Sequence, residues 1–118
     1  MAEKNYFING ITELLILSIL DDNDSYVYEI TKKIEEHSEG CLSISQNTIY
    51  AATYKLKSEN KISEYSLLVG KRRTRIYYHI EEAGKEYLKE LSQQYFQTIT
   101  GVENIFSVLD RKEVDSNG

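Results

Sequence analysis

The chain has 118 residues, a net charge of −5, 41% hydrophobic residues and 28% charged residues. This length suffices for one domain with a hydrophobic core but not for two, and the composition is that of a soluble globular protein. A single cysteine, Cys41, excludes an intrachain disulfide and favours a reducing compartment. No apolar run exceeds four residues, and the first residues lack a signal-peptide pattern. We therefore expect a cytoplasmic protein without a membrane partner.

The charge is distributed unevenly along the chain. Residues 1–30 carry a net charge of −5, residues 31–80 carry +4, and residues 81–118 carry −4. DNA responds to the local field over a Debye length of about 10 Å rather than to the total charge. The basic middle of the chain is therefore compatible with a DNA-binding face.

Apolar residues at steps of three and four predict a first helix over Tyr6–Leu20. The acidic stretch Asp21–Asp24 follows as a spacer. Ser25 is predicted to cap a second helix, Tyr26–His37, and Gly40 suits a left-handed stop after it.

The remaining elements complete a winged helix-turn-helix. They are a short edge strand at Leu42–Ile44, a helix capped by Ser45 and ending near Glu59, strands at Ile62–Val69 and Thr74–Ile80, and a last helix from Glu81 or Glu82 to about Leu109. The predicted fold class is mostly α with a small β-hairpin. We expect a DNA-binding domain over residues 1–80, a C-terminal dimerisation helix over residues 81–109 and a flexible tail over residues 110–118.

The third helix has two distinct faces when projected at 100° per residue. The face predicted to pack on the core carries Ile49, Ala52, Thr53 and Leu56. The residues predicted to contact DNA, at its start, on its outward face and on its flanks, are Ser45, Gln46, Asn47, Thr48, Tyr50, Ala51, Tyr54, Lys55 and Lys57. Asparagine can pair bidentately with adenine, and tyrosine and lysine reach phosphates. The alternative is an ordinary surface helix with a polar outer face.

The hairpin turn concentrates positive charge. Lys71, Arg72, Arg73 and Arg75 place four cations within five residues, without an acidic residue close in sequence. Phosphate binding explains this density, because clustered like charges repel one another. A solvated turn or protection of an edge strand is the alternative.

The last helix carries an apolar seam at steps of three and four. With the neighbours that widen it, the residues predicted to form a dimer interface are Leu88, Leu91, Tyr95, Thr98, Ile99, Val102, Ile105, Phe106 and Leu109. Pairing with a second copy would bury this surface, and Leu14 and Leu15 are predicted to pack against the partner's last helix. Alternatively, the seam folds back on its own first helix.

Four collinear stretches resemble the PadR family of transcriptional regulators, in its short form with a single C-terminal helix. They read TELLILSIL, YVYEITKKIEE, LSISQNTIYAATYKLKSENKI and TRIYYHIEEAGKEYL. The family's Gly-Tyr-Glu-Ile appears as Val27–Ile30, its Thr-Leu-Tyr-Pro as Thr48–Ala51, and its Glu-Ala-Gly as Glu82–Gly84. Val27, Ala51 and the basic wing depart from the family pattern. The missing proline at Ala51 and the basic wing leave the operator sequence and the non-specific affinity open.

The resemblance implies a repressor whose affinity for DNA is changed by a ligand or a stress signal. The homodimer predicted from the apolar seam would bind a pseudo-palindromic operator. In multidrug-binding members, planar aromatic compounds stack on a tryptophan in a pore at the dimer centre. This chain has no tryptophan. The resemblance places Tyr95 near that position, beside Phe96 and Ile99, so a small aromatic effector is one expectation. Packing of Tyr95 within the dimer seam is the other.

An enzyme, a cofactor or a metal centre is not expected. His37 and His79 lie on different predicted elements, and Cys41 has no arrangement of a base and an orienting group. His37, Glu39 and Cys41 alone make a weak metal site, and we expect the Cys41 thiol to be buried. The alternative function is a winged-helix adaptor that contacts protein, which differs from a DNA binder in its response to salt.

Overall fold

The computed structural model describes residues 7–117, which form four helices and a two-stranded antiparallel sheet. The elements are α1 (Ile8–Asp22), α2 (Val27–His37), α3 (Gln46–Ser58), β1 (Ile62–Val69), β2 (Arg73–Ile80) and α4 (Glu82–Asn117). The chain divides into two compact units, one extending to Leu88 and one beginning at Lys89, within α4. The predicted fold class, a mostly helical chain with a small hairpin, is confirmed.

The first unit has a core to which all three short helices and the base of the hairpin contribute. Its buried hydrophobic residues are Ile16, Leu17, Leu20, Val27, Ile30, Ile34, Ile44, Ile49, Leu56, Ile62, Tyr78 and Ile80. Burying one such aliphatic side chain stabilises the fold by about 1.5–3 kcal/mol. On α3, Ile49 and Leu56 are completely buried. Their burial fixes the rotation of α3 and turns its opposite face outward.

The hairpin is paired from Ile62↔Ile80 at its base to Val69↔Arg73 at its tip. A three-residue turn, Gly70–Arg72, joins the strands. Gly70 has φ +72°, a left-handed conformation that glycine adopts without steric cost. Ile62 and Ile80 are buried at the base, whereas the residues of the turn are exposed. The tip therefore offers its side chains to solvent.

The predicted edge strand at Leu42–Ile44 is wrong. These residues form a loop, in which the Leu42 amide donates to Ser38 Oγ at 2.9 Å and the Ile44 side chain enters the core. Ser25 instead pairs with Tyr78 of β2, with Tyr78 N donating to Ser25 O at 2.9 Å. Alternation over only three residues does not define a strand. Here it arises from a loop that buries one side chain.

The boundaries of three helices differ from their predicted positions. The second helix begins at Val27 with Tyr26 as its N-cap, so Ser25 does not cap it. The first helix extends through Asp22, into the predicted spacer, and Tyr6 lies outside the described residues. Likewise, α4 reaches Asn117 rather than ending near Leu109. Polar residues continue α1 and α4 beyond their predicted ends because no proline interrupts either segment.

Gly84 allows the start of α4 to lie against the turn between α3 and β1. A Cβ atom at this position would collide with the backbone carbonyl oxygen of Lys61. Glu81 N donates to the same carbonyl at 3.0 Å. A glycine is therefore required by close backbone approach, which gives a physical reason for the Glu82–Gly84 motif.

Candidate nucleic-acid interface

The exposed face of α3 carries the side chains that were predicted to read DNA. Asn47, Tyr50, Ala51 and Tyr54 are exposed, while Ile49, Thr53 and Leu56 on the other face are buried. The predicted orientation of the helix is therefore confirmed, with Ala52 half-buried at its margin. A helix that presents amide, hydroxyl and small side chains on one face has the groups that base and phosphate contacts need.

The N-terminus of α3 is closed by its own side chains. Thr48 N donates to Ser45 Oγ at 3.2 Å, and the hydroxyls of Ser45 and Thr48 lie 2.9 Å apart. The predicted cap is confirmed. Both hydroxyls take part in the cap. The other polar side chains of the first turn, Gln46 and Asn47, are exposed.

The two lysines predicted to flank α3 form ion pairs within the protein. Lys55 Nζ lies 3.1 Å from Glu13 Oε1, and Lys57 Nζ lies 2.7 Å from Glu64 Oε1. The hydrogen bond to Glu13 raises the pKa of Lys55, and the hydrogen bond to Glu64 raises the pKa of Lys57. Each ammonium is thus held beside a carboxylate that offsets its charge, which sequence spacing did not reveal.

The cations at the tip of the hairpin have no such partner among the residues that the structure describes. Lys71, Arg72 and Arg73 are exposed, and none of them lies within 4.0 Å of a carboxylate in the described part of the chain. Arg75 is half-buried, and its guanidinium carbon lies 4.1 Å from the centroid of the Tyr26 ring. The hairpin therefore concentrates positive charge that nearby carboxylates do not neutralise.

A cleft of about 340 Å³ brings α3 and the hairpin together with the start of α2. Its lining residues are Tyr26, Val27, Tyr28, Gln46, Tyr50, Thr74, Arg75, Ile76 and Tyr78. Three of the predicted DNA contacts, Gln46, Tyr50 and Arg75, meet here. One cleft is thus lined by residues that carry a guanidinium, an amide and phenol groups.

Sequence reasoning missed Tyr26 and Tyr28 as members of this surface. Tyr28 is exposed, and Lys32 Nζ lies 5.6 Å from its ring centroid. A signal was available, because Tyr28 is a large aromatic residue outside the apolar face formed by Val27, Ile30 and Ile34. The position of Tyr26 beside Arg75 depends on tertiary structure and had no counterpart in the sequence pattern.

Asp24 ties the loop between α1 and α2 to both strands of the hairpin. Its carboxylate accepts a hydrogen bond from Tyr65 Oη at 2.7 Å and lies 2.8 Å from His79 Nδ1. Burial acts to raise the pKa of Asp24, but the hydrogen bonds from Tyr65 and His79 outweigh it and lower the pKa. The bond to Asp24 raises the pKa of Tyr65 to about 12. This network fixes the position of the hairpin on the unit that carries α3.

The part of α4 that begins at Lys89 exposes much of its predicted seam. Leu91 is half-buried and Thr98 is exposed, as are six large apolar residues of the predicted interface, which are Tyr95, Ile99, Val102, Ile105, Phe106 and Leu109. Phe96 is exposed, and its ring meets that of Tyr95 edge-on at 5.3 Å between centroids. Exposed apolar surface on this scale is typical of an interaction surface.

Comparison with known proteins identifies the family. Residues 16–90 match the model of the transcriptional regulator PadR-like family. The chain belongs to the PadR-like family of transcriptional regulators. The match extends from the first helix through β2 to the start of α4 and includes the whole of the cleft.

Solved structures with similar chains support the same assignment. A transcriptional regulator from Clostridium thermocellum is 29% identical, with a TM-score of 0.78 over 87% of this chain and 97% of that one. A PadR family transcription regulator from Clostridium difficile is 34% identical, with a TM-score of 0.66 over 81% of this chain and 97% of that one. Bacillus subtilis PadR in complex with operator DNA is 24% identical, with a TM-score of 0.64 over 68% of this chain and 45% of that one. The last supports the fold alone.

The PadR-like assignment makes the chain a transcriptional regulator rather than an enzyme. Among the described residues, no group of three or more His, Cys, Asp and Glu side chains could hold a metal ion. Within the same residues, no helix has the length and apolar character needed to cross a membrane. Cys41 is exposed, so the expectation of a buried thiol is wrong; it lies in the loop between α2 and α3, where only Ile44 enters the core.

Proposed function

We propose that this PadR-like regulator binds operator DNA through α3 and the hairpin. The observation that carries the proposal is the presence, in the same unit, of an exposed polar helix face and of hairpin cations that lack carboxylate partners among the described residues. In this arrangement Asn47 and Ala51 face base edges in the major groove, and the hydroxyls of Tyr50 and Tyr54 reach backbone phosphates. Lys71, Arg72, Arg73 and Arg75 bind backbone phosphates. Lys55 and Lys57 contribute less, because each is paired with a glutamate.

We further propose that the DNA-binding form is a homodimer joined through α4. An exposed apolar stripe that includes Val102, Ile105 and Leu109 supports this proposal, since a second copy would remove the stripe from water. Leu14 and Leu15 are half-buried on α1 and are proposed to extend the interface. A two-fold dimer binds a pseudo-palindromic operator whose half-sites lie about 34 Å apart.

An effector is proposed to act at the aromatic pair of α4. Tyr95, Phe96 and Ile99 are exposed within two turns of one helix, and aromatic rings offer a stacking surface to a planar ligand. The protein would then act as a cytoplasmic repressor whose affinity for its operator changes when the ligand binds. A thermal-shift screen with planar aromatic compounds tests this, and Tyr95→Ala should abolish any stabilisation that arises at this pair.

Footprinting on the region upstream of the protein's own gene tests operator binding. We expect two protected half-sites related by two-fold symmetry, and Ile105→Asp, which places a charge in the stripe, should abolish protection. Sedimentation of the same variant should give a monomer, whereas Lys89→Asp, a change to an exposed lysine outside the predicted seam, should leave a dimer. If the protein were an adaptor that contacts protein, it would give no footprint. If the wild type sedimented as a monomer, the proposed homodimer would be wrong.

A further inference from the structure

Arg75 differs from the other cations of the hairpin because an aromatic ring holds it. Its guanidinium carbon lies 4.1 Å from the Tyr26 ring centroid. Lys71, Arg72 and Arg73 have no comparable ring contact in the described part of the chain. A stacked guanidinium keeps its N–H donors available at its edges, whereas an ion pair with a carboxylate would occupy them.

The Tyr26 ring is itself held in place by contact with another aromatic ring. It meets Tyr77 edge-on at 5.3 Å between centroids, and Tyr77 stacks on Tyr65 at 5.7 Å with 14° between the ring planes. Tyr65 in turn donates its hydroxyl to Asp24. The Tyr26 carbonyl accepts from Ile30 N at 2.9 Å, which anchors the backbone of Tyr26 to the first turn of α2.

The strand geometry places Arg75 against this ring. Arg75 and Tyr77 are two residues apart on β2 and therefore project from the same face of the hairpin. Tyr26 contacts both of them and lines the cleft between α2, α3 and β2 together with Arg75. Arg75 thus lines the same cleft as Gln46 and Tyr50, while the Tyr26 ring holds its guanidinium.

We propose that Tyr26 is a positioning residue for DNA binding: its ring holds the Arg75 guanidinium at this cleft, where the guanidinium binds a backbone phosphate. This inference rests on the proposed operator binding and adds to it an aromatic support that prearranges one phosphate contact in each protomer. Prearrangement strengthens binding because less side-chain freedom is lost when the phosphate arrives.

The test measures the affinity of the full chain for a mixed-sequence DNA duplex over a series of salt concentrations. Arg75→Gln should weaken binding about tenfold and reduce the magnitude of the salt slope by about 1.8, since each of two protomers loses one contact worth about 0.9. Tyr26→Leu should weaken binding about three- to tenfold, and Tyr26→Phe, which keeps the ring, should stay within about twofold of the wild type.

A double-mutant cycle separates positioning from a merely structural role. Tyr26→Leu should have no further effect on DNA affinity when Arg75 is already glutamine. The same change should remain fully effective when combined with Lys71→Gln, the matched control at a cation without a ring. Arg75→Lys keeps the charge but removes the planar guanidinium. We expect it to weaken DNA binding about threefold, and adding Tyr26→Leu should not weaken binding further.

Three results would overturn the inference. An undiminished effect of Tyr26→Leu in the Arg75→Gln background would make the two residues independent. A loss in Tyr26→Phe equal to that in Tyr26→Leu would assign the role to the Tyr26 hydroxyl. Normal affinity and salt slope in Arg75→Gln would remove Arg75 from the interface while leaving operator binding in place. Failure of the wild type to bind any duplex would instead defeat the proposed function itself.

Discussion

The tip of the hairpin and the C-terminal half of α3 both carry positive side chains, but only those on α3 form ion pairs with carboxylates of the described residues. Lys71, Arg72 and Arg73 at the tip are exposed and lie away from the described carboxylates. Lys55 and Lys57 on α3 each lie against a glutamate, at 3.1 Å and 2.7 Å. The two regions look similarly basic in the sequence, but a ligand would meet less net positive charge at α3 than at the hairpin tip.

The difference separates two tasks within one surface. A lysine that is already paired must exchange its carboxylate for a phosphate, so the net gain on binding DNA is small. An unpaired arginine releases counterions from DNA without that exchange. The hairpin is thus expected to provide most of the affinity that is independent of sequence, and α3 to provide the discrimination among bases.

The largest effect is expected when charge is removed from the hairpin tip. Arg72→Ala combined with Arg73→Ala should weaken binding to all duplexes alike, by about a hundredfold, and lower the magnitude of the salt slope by about 3.6 for a dimer. Fluorescence anisotropy with operator and mixed-sequence duplexes measures both quantities. Lys89→Ala, at an exposed residue of α4, is the control. An unchanged slope in the double variant would exclude the tip from the interface.

The next largest effect is expected at Asn47 on the exposed face of α3. Asn47→Ala should reduce the preference for operator over mixed-sequence DNA by about 5- to 100-fold, because a bidentate base contact contributes about 1–3 kcal/mol of discrimination. Its affinity for mixed-sequence DNA should change little. Competition binding with the two duplexes measures the ratio. A uniform loss on both duplexes would assign Asn47 to the phosphate backbone instead.

A smaller effect is expected from releasing a paired lysine. Glu64→Gln removes the carboxylate beside Lys57 and should raise DNA affinity about threefold, whereas Lys57→Gln should lower it by less than about threefold. Salt titrations of both variants compare these changes. If Lys57→Gln weakened binding as strongly as the loss of an arginine at the tip, the distinction between paired and unpaired cations would be wrong.

The smallest effect concerns the network that holds the hairpin. The hydrogen bond to Asp24 raises the pKa of Tyr65 to about 12. The contribution of this bond to folding stability is therefore complete below the ordinary pKa of a phenol and is lost as the pH rises through about 12. Tyr65→Phe should therefore lower stability slightly near neutral pH and converge with the wild type at high pH. Urea unfolding at several pH values measures the difference. Equal stability at neutral pH would show that the Asp24–Tyr65 bond contributes nothing.

The sequence predicted the elements whose signals are local and periodic. The apolar spacing on α3 identified its buried face, and Ser45 marked its N-terminus, because both signals lie within one helix. The density of cations in the hairpin turn was likewise visible in five consecutive residues. Alternation at Leu42–Ile44 was too short to distinguish a strand from a loop that buries Ile44.

The sequence could not predict which charges meet across the fold. Glu13 and Lys55 are 42 residues apart, and Asp24 and His79 are 55 residues apart. Their contacts depend on the arrangement of helices and hairpin rather than on any spacing. Consequently the sequence reveals neither the ion pairs of Lys55 and Lys57 nor the contact between Arg75 and the Tyr26 ring.

The most direct test of the central claim is a titration of the purified chain against a duplex from its own upstream region at increasing salt. We predict two protomers per duplex and an affinity that falls linearly on logarithmic axes, with a slope of about −5 or steeper for six or more phosphate contacts. A chain that bound this duplex with no dependence on salt, or did not bind it even in dilute salt, would contradict the account.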